Sequence, residues 1–370
     1  MGFNKICLGE VIQTNTISYK KSDCWAFVNY LDTGNITENV VCEIQRIDLD
    51  KEPLPSRAKR KVQYNSIIYS TVRPNQRHYG IIKNIPQNFL VSTGFTVIDA
   101  IPEKIDADFL FYLLTQRDII ESLQAIAEQS VSTYPSISPS DIENLEVWLP
   151  ELSEQKKIAA ILSALDEKIA INRAINDNLQ QQAQAIYASM FIDNADPAWE
   201  QGHISDLIAV KYGKDHKKLA DGSYPVYGSG GIMRHVERPL YDKESVLIPR
   251  KGTLNNVMYV NQPFWSVDTM FYTEMRLPNV AKFVYHFVKA KDLASMNAGS
   301  AVPSMTTDIL NAIEVAIPSA SALEEFEALV SPMYKAMQEN DNQSEILAKL
   351  RDALLPKLMS GEIDVSDIQL

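Results

Sequence analysis

Apolar residues recur at alternating spacings of four and three in two segments of this chain. In the first they fall at Ile158, Leu162, Leu165, Ile169, Asn172, Asn176, Leu179, Ala183, Ile186 and Met190. In the second they fall at Phe326, Val330, Met333, Met337, Asn340, Ser344, Leu347, Arg351, Leu354 and Leu358, each 168 residues after its counterpart. A mean period of 3.5 sustained over about five heptads predicts a long helix that packs on another helix. Both seams turn polar at the same two places, Asn172 and Asn176 in one, Asn340 and Ser344 in the other. Two seams that each need a partner face predict that the helices pack on one another, the polar middle fixing register at some cost in stability. Ser153 and Ser321 read as N-caps, Ser321-Ala-Leu-Glu324 as a capping box, and Gly361 as a stop. Pro332 and Pro356 stand where the first segment has Ala164 and Ala188, which predicts a bent or segmented second helix.

The repeat extends upstream of the helices, with Pro150 and Pro318 as anchors. Val-Ser-Thr-Tyr-Pro-Ser-Ile at 131–137 answers Gly-Ser-Ala-Val-Pro-Ser-Met at 299–305, and Glu146-Val147 answers Glu314-Val315. Between these landmarks lie short β-like runs punctuated by Gly, Pro and Asn. The first half has Ile6–Leu8, Ala26–Val28, Ser66–Ser70 and Phe95–Ile98; the second has Tyr224–Tyr227, Ser245–Ile248, Val257–Val260 and Met270–Thr273. Each half closes on a helical stretch, Asp108–Leu123 and Ala281–Lys289. The expected fold class is α+β, with a globular part at 1–150, a long helix at 151–195, a second globular part at 196–318 and a second long helix at 319–370. The helices repeat faithfully while the globular parts diverge, which suggests one kind of task performed on two different targets.

A chain of 370 residues, 45% hydrophobic and 22% charged, has core material for two domains. No apolar run approaches the roughly 18 residues of a membrane span, and Met1-Gly-Phe-Asn-Lys5 is not a signal-peptide core. Cys7, Cys24 and Cys42 show no CxxC spacing, which points to thiols in a reducing cytoplasm. The net charge of −12 argues at first against a nucleic-acid partner. Charge is uneven, however: residues 319–370 hold four Lys/Arg against ten Asp/Glu, while 51–83 hold eight against one. A second basic run, Lys211 to Lys218, follows the first helix. The average therefore does not exclude DNA.

Catalytic patterns are lacking. The sequence has no GxxxxGK[ST] loop, no GxGxxG and no Asn-Pro-Pro-aromatic string, and Tyr227-Gly-Ser-Gly-Gly231 reads as a turn. The five histidines have no metal-ligand spacing, and His286, in the helical stretch Ala281–Lys289, reads as a packing residue. No catalytic or metal-binding residue is assigned.

Three strings carry a resemblance. They are Leu149-Pro-Glu-Leu-Ser-Glu-Gln-Lys-Lys-Ile158 running into Leu165-Asp-Glu-Lys-Ile169, the C-terminal Leu354-Leu-Pro-Lys-Leu-Met-Ser-Gly-Glu-Ile-Asp-Val365, and the Tyr/Val-Pro-Ser segment before each helix. With these, the chain resembles the specificity (S) subunits of type I restriction–modification systems. It departs from them in its two helix prolines and in Ala322-Leu-Glu-Glu-Phe326, where a Glu-Gln is expected. The resemblance implies a non-catalytic, cytoplasmic subunit. Two target recognition domains would be separated by two long antiparallel coiled-coil helices in a pseudo-two-fold repeat. It would read a split site in double-stranded DNA and dock two modification (methyltransferase) subunits and restriction/translocase subunits. It would hold no cofactor itself; AdoMet, ATP and Mg²⁺ would belong to the partners. A helix from Ser153 to Met190 would span about 57 Å, enough to set half-sites about one turn of B-DNA, or about 34 Å, apart.

Expected base-reading residues lie in the loops after matched strands: Arg73, Asn75, Gln76, Arg77 and Tyr79 in the first domain, and Arg250, Lys251, Thr253, Asn255 and Asn256 in the second. Arg to guanine and Asn or Gln to adenine are the usual bidentate pairs. Ser132, Thr133, Tyr134 and Ser300 are expected at backbone phosphate, and Lys59, Arg60, Lys61, Lys217 and Lys218 would add non-specific affinity. Two alternatives stay open: a specificity subunit of a type IIB-like system, and a coiled-coil adaptor that binds no DNA.

Overall fold

The computed structural model describes residues 2–130, 134–296 and 304–368. The chain forms two compact units, Met1–Ile171 with Gln343–Leu370, and Asn172–Asn342. Among the described residues no helix is long and apolar enough to cross a membrane, and the cysteines form no disulfide.

Both seams form helices, Leu152–Ala188 and Ala320–Met359. In the first unit Ile158, Ala159 and Leu162 share a core with Leu358 and Met359, and Arg351 Nη1 donates to Asp166 Oδ1 at 2.7 Å. In the second unit Ala183 and Tyr187 pack with Phe326 and Val330. Within each unit the two helical segments thus run antiparallel. Ile158, Leu162, Ile169 and Asn172 are buried; Leu165, Asn176, Leu179, Met333, Met337, Asn340, Leu347 and Leu354 are half-buried. Every seam position is covered, as a 3.5-residue stripe requires.

Three local expectations are corrected. The second helix is not segmented: Ala320–Met359 forms one continuous helix. Pro332 and Pro356 lie on its exposed face with the exposed Ala328 and Asp352 four residues before them, so water can serve the carbonyls that proline leaves without a donor. Ser153 and Ser321 are not caps. The second helix starts two residues earlier, where the Ser319 hydroxyl accepts from the Ala322 N–H at 3.3 Å. The first starts at Leu152, and its buried Gln155 donates to the Pro150 carbonyl and accepts from the Asp106 N–H, each at 2.9 Å. Gly361 does stop the second helix, at φ +75.

The globular parts share a topology that goes beyond their sequence likeness. A strand near each start pairs antiparallel with the strand before the long helix: Asn4–Cys7 with Glu146–Leu149, and Glu200–His203 with Glu314–Ile317. A four-stranded sheet follows in the same order, Ile12–Thr14, Phe95–Ala100, Ile67–Ser70, Tyr79–Ile81 in one unit. In the other it runs Ile208–Tyr212, Met270–Met275, Ser245–Pro249, Met258–Val260. A second sheet places a hairpin strand parallel to a later one, Phe27–Leu31 beside Phe89–Ser92 and Asp221–Gly228 beside Trp265–Ser266. The helix expected over Asp108–Leu123 is two, Ala107–Leu114 and Arg117–Glu128, broken at Gln116, whose backbone is extended, with the Thr115 hydroxyl donating to the carbonyls of Phe111 and Tyr112. Ala281–Lys289 forms as expected.

One shorter helix in each unit, Ala107–Leu114 and Ala281–Lys289, is tied to a long helix at equivalent positions. Tyr112 Oη donates to Asp166 Oδ2 at 2.7 Å. In the second unit Tyr334, 168 residues after Asp166, bonds through Oη to His286 Nε2 at 2.9 Å. His286 is fully buried, and its Nδ1 meets Gln184 Oε1 at 2.7 Å. It packs and tethers, as its place in the sequence suggested.

Candidate nucleic-acid interface

The strand Ile67–Ser70 leaves its sheet through Thr71, Val72 and Arg73, and this stretch is stitched to the segment before the first long helix. Ile137 N–H donates to Thr71 O at 2.8 Å, Arg73 N–H donates to Pro135 O at 3.0 Å, and Val72 bridges Ser136. The second unit builds the same ladder from Ser245–Pro249. Met305 N–H donates to Arg250 O at 2.9 Å, and Lys251 bridges Ser304. The strand-end loop of the first unit therefore lies beside the segment that carries Tyr134, and that of the second beside Ser304 and Met305. Ser132, Thr133 and Ser300 lie outside the described residues.

In the first loop Arg73 and Arg77 both adopt left-handed backbone, φ 48 and 56, at the two ends of the 3₁₀ turn Pro74–Gln76. Such conformations cost energy for a residue with a Cβ and mark a constrained loop. The turn closes through Gln76 N–H to Arg73 O at 2.9 Å and is anchored by Asn75 N–H to Gln124 Oε1 at 3.3 Å. Asn75 and Gln76 hold exposed side chains at its tip. The Arg73 guanidinium lies 5.3 Å from the Tyr134 ring centroid, a cation–π arrangement that presents an aromatic face and a cation together. Arg77 pairs with Glu38 at 2.5 Å, and the Glu38 N–H donates to Arg77 O at 2.9 Å.

Three expected residues leave this surface. Tyr79 is buried, 5.7 Å from Tyr69 and 6.1 Å from Phe111 by ring centroids, and burial pushes its hydroxyl up to about 12. Lys61 is engaged by Asp23 at 2.6 Å and lies over the Trp25 ring. Arg60 is half-buried in a strand paired with Val91, and desolvation lowers its pKa. Of that basic run only Lys59 is exposed. Alternation along the strand Ala58–Arg60 divides the run between two faces, so it cannot form one patch.

In the second loop Lys251 and Thr253 are exposed, and the Arg250 guanidinium lies 5.4 Å from the Tyr212 ring centroid. Asn255 and Asn256 hold the loop together. Asn255 Nδ2 donates to Asp292 Oδ1 at 3.1 Å, keeping that carboxyl below its ordinary range, and Asn255 Oδ1 accepts from the Ala294 N–H. Asn256 Nδ2 donates to the Ser229 carbonyl at 2.8 Å. These bonds engage both side chains within the unit, Asn255 through both ends of its amide and Asn256 through Nδ2. Lys217 and Lys218 are exposed. Glu38 and Tyr212 were missed in the sequence, although Tyr212 sits inside the basic run Lys211–Lys218 and an aromatic among cations was the available signal.

The chain belongs to the family described as the type I restriction modification DNA specificity domain, which it matches twice, over residues 2–181 and 198–354. It is similar to the type I restriction enzyme HindI specificity subunit of Haemophilus influenzae, 23% identical over 91% of this chain and 94% of the relative. It is also similar to the MjaIX specificity subunit of Methanocaldococcus jannaschii, 23% identical over 98% and 93%. Among solved structures, the type I restriction–modification S subunit from M. genitalium shares the fold at a TM-score of 0.58 and 19% identity, over 97% of this chain and 96% of that one.

Proposed function

We propose that this chain is the DNA-specificity subunit of a type I restriction–modification complex, reading a split site with one half assigned to each domain. The observation that carries this reading is the double match to the DNA specificity family, together with the loop architecture built twice. In each unit a basic strand-end loop is tied to a Pro-Ser segment. The exposed Asn75, Gln76, Lys251 and Thr253 offer donors and acceptors of the kind that read base edges. Arg73 and Arg250, each beside a tyrosine ring, suit phosphate or guanine.

The chain contributes recognition and no catalysis. It acts in the cytoplasm and docks two modification subunits and the restriction/translocase subunits, which supply AdoMet, ATP and Mg²⁺. Family membership favours this over an adaptor that binds no DNA, and the named relatives are type I subunits rather than type IIB. The test is methylation-site mapping in cells that express this chain with its modification subunit. A split motif is expected, and replacing residues 196–318 with those of another member should change one half alone. An assembled complex that methylates no site, or a contiguous one, would overturn the proposal.

A further inference from the structure

The strand Asp221–Gly228 turns back into Gly231–Val236 through Ser229 and Gly230. Pairing runs Gly228 to Gly231 and Tyr227 to Ile232, then Val226 to Arg234, so Met233 is an extra residue on the returning strand. A bulge of this kind breaks the alternation of side chains and re-aims them. Ile232 and Met233, adjacent in the chain, are accordingly 55% and 60% exposed. Met233 is seated over Gly228, where a Cβ would stand 2.6 Å from its sulfur. The turn is clamped to the candidate reading loop by Asn256, whose amide bonds the Ser229 carbonyl, and by Gly252 at φ +84, where a Cβ would stand 2.7 Å from the Ser229 hydroxyl.

In the first unit the connection between Phe27–Leu31 and its antiparallel neighbour Gln45–Asp48 carries a small ribbon of its own. Ile36–Thr37 pairs with Val40–Val41 across Glu38 and Asn39, both at positive φ. It is tied to its own loop by Glu38 N–H to Arg77 O and Asn39 N–H to Tyr79 O, at 2.9 and 2.8 Å. Val40 and Val41 are 44% and 42% exposed. Adjacent strand residues face opposite ways, so exposure of both leaves the returning strand uncovered on both faces, while Ile36 on its partner strand anchors the ribbon in the core. Two diverged domains thus each hold an exposed apolar pair against the loop that carries their polar candidates.

The surroundings indicate the occupant. Residues 211–252 hold nine Lys/Arg against five Asp/Glu in a chain whose net charge is −12, which suits a polyanion. A two-stranded ribbon fits the major groove of B-DNA, where the apolar feature on offer is the thymine C5-methyl group. Resting on the specificity-subunit reading above, we propose that these ribbons enter the groove beside the loops and recognise thymine methyls. Ile232 and Met233 would do so in the half-site of the second domain, and Val40 and Val41 in that of the first.

The experiment uses the full chain assembled with its modification subunits and duplexes carrying the mapped site. In the half assigned to residues 196–318, each thymine is replaced in turn by deoxyuridine, which lacks only the methyl. At one or two positions binding should weaken about fourfold, the worth of one buried methyl. Met233→Ser and Ile232→Ser should bind the thymine and uracil duplexes alike, while Met233→Leu keeps the distinction. A wild-type complex indifferent to uracil throughout that half, or a half-site without thymine on either strand, would overturn the inference. So would serine variants that still discriminate, or ones that lose the modification subunits instead, which would make the ribbon a protein dock. Failure of the underlying reading is distinct, because such a complex would show no sequence preference on unmodified duplex.

Discussion

The Asn172 side chain, buried in the helix seam, donates to the backbone carbonyl of Asn340 at 3.3 Å, and these two residues occupy the same position in a repeat of 168. Asn176 completes the contact, donating to Met337 O at 3.1 Å and Asp341 Oδ1 at 2.8 Å while accepting from Asn340 Nδ2 at 2.8 Å. An apolar seam alone tolerates sliding by a heptad. Amides that must find partners do not.

Asn172→Leu should therefore trade specificity for stability. The all-apolar seam is expected to gain stability, because a polar seam residue fixes register at a cost. It should also permit mispaired and self-associated species. Urea unfolding and light scattering of the purified chain check both halves. A variant that stays monodisperse and loses stability would show that the amide holds the fold without selecting register.

Lys282 illustrates a different kind of buried polarity. Its side chain is 5% exposed, and its ammonium stands 2.7 Å from Glu327 and 3.1 Å from Glu244, over the rings of Tyr259 and Tyr334. Lys282→Ala should cost about 3 kcal/mol, because it strands two partly buried carboxylates. Adding Glu327→Gln should recover part of that loss. Equilibrium denaturation of the single and double variants makes the comparison.

His286 ties stability to pH in one direction. Burial, with Lys289 nearby, pushes its pKa down from 6.5 to about 4, while Tyr334 donates to Nε2 and Gln184 accepts from Nδ1. Above pH 6.5 the ring is neutral whether the chain is folded or unfolded, so its contribution is constant. As pH falls toward 4 the unfolded chain takes up a proton that the folded one refuses. Stability then declines by up to about 1.4 kcal/mol per pH unit. His286→Gln should flatten this part of the stability–pH curve relative to wild type, and an unchanged slope would assign the acid sensitivity elsewhere.

The parts of the fold legible in the sequence were those written as periodicity. The seam from Ile158 to Met190 and its copy at 168 residues predicted which positions are covered, because a 3.5-residue stripe admits few other structures. Caps were misread because Ser153 and Ser321 compete with serines and backbone groups nearby, and Ser319 has the better geometry. In the candidate interface, composition located the loops but not the orientation of side chains. Tyr79 looked like a reader and is core; Asn255 and Asn256 looked like readers and are staples. Met233 gave no signal, since only a pairing register reveals a bulge.

The proposed roles of the cations and amides separate by salt. A lysine that neutralises one phosphate releases its counterion, so removing it lowers the slope of log K against log salt by about 0.9 and weakens binding to all sequences alike. Lys217→Ala and Lys218→Ala, on exposed lysines, should behave this way, leaving the methylated motif unchanged. Asn75→Ala and Gln76→Ala, at the tip of the first turn, should leave the slope unchanged and instead relax the half-site read by residues 1–150 by about 1–3 kcal/mol at a base pair. Titrations of the assembled complex at several salt concentrations, on cognate and single-base-changed duplexes, give both quantities. If the lysine variants changed the motif, or the amide variants changed only the slope, the assignment of loops to bases and basic runs to phosphate would be reversed.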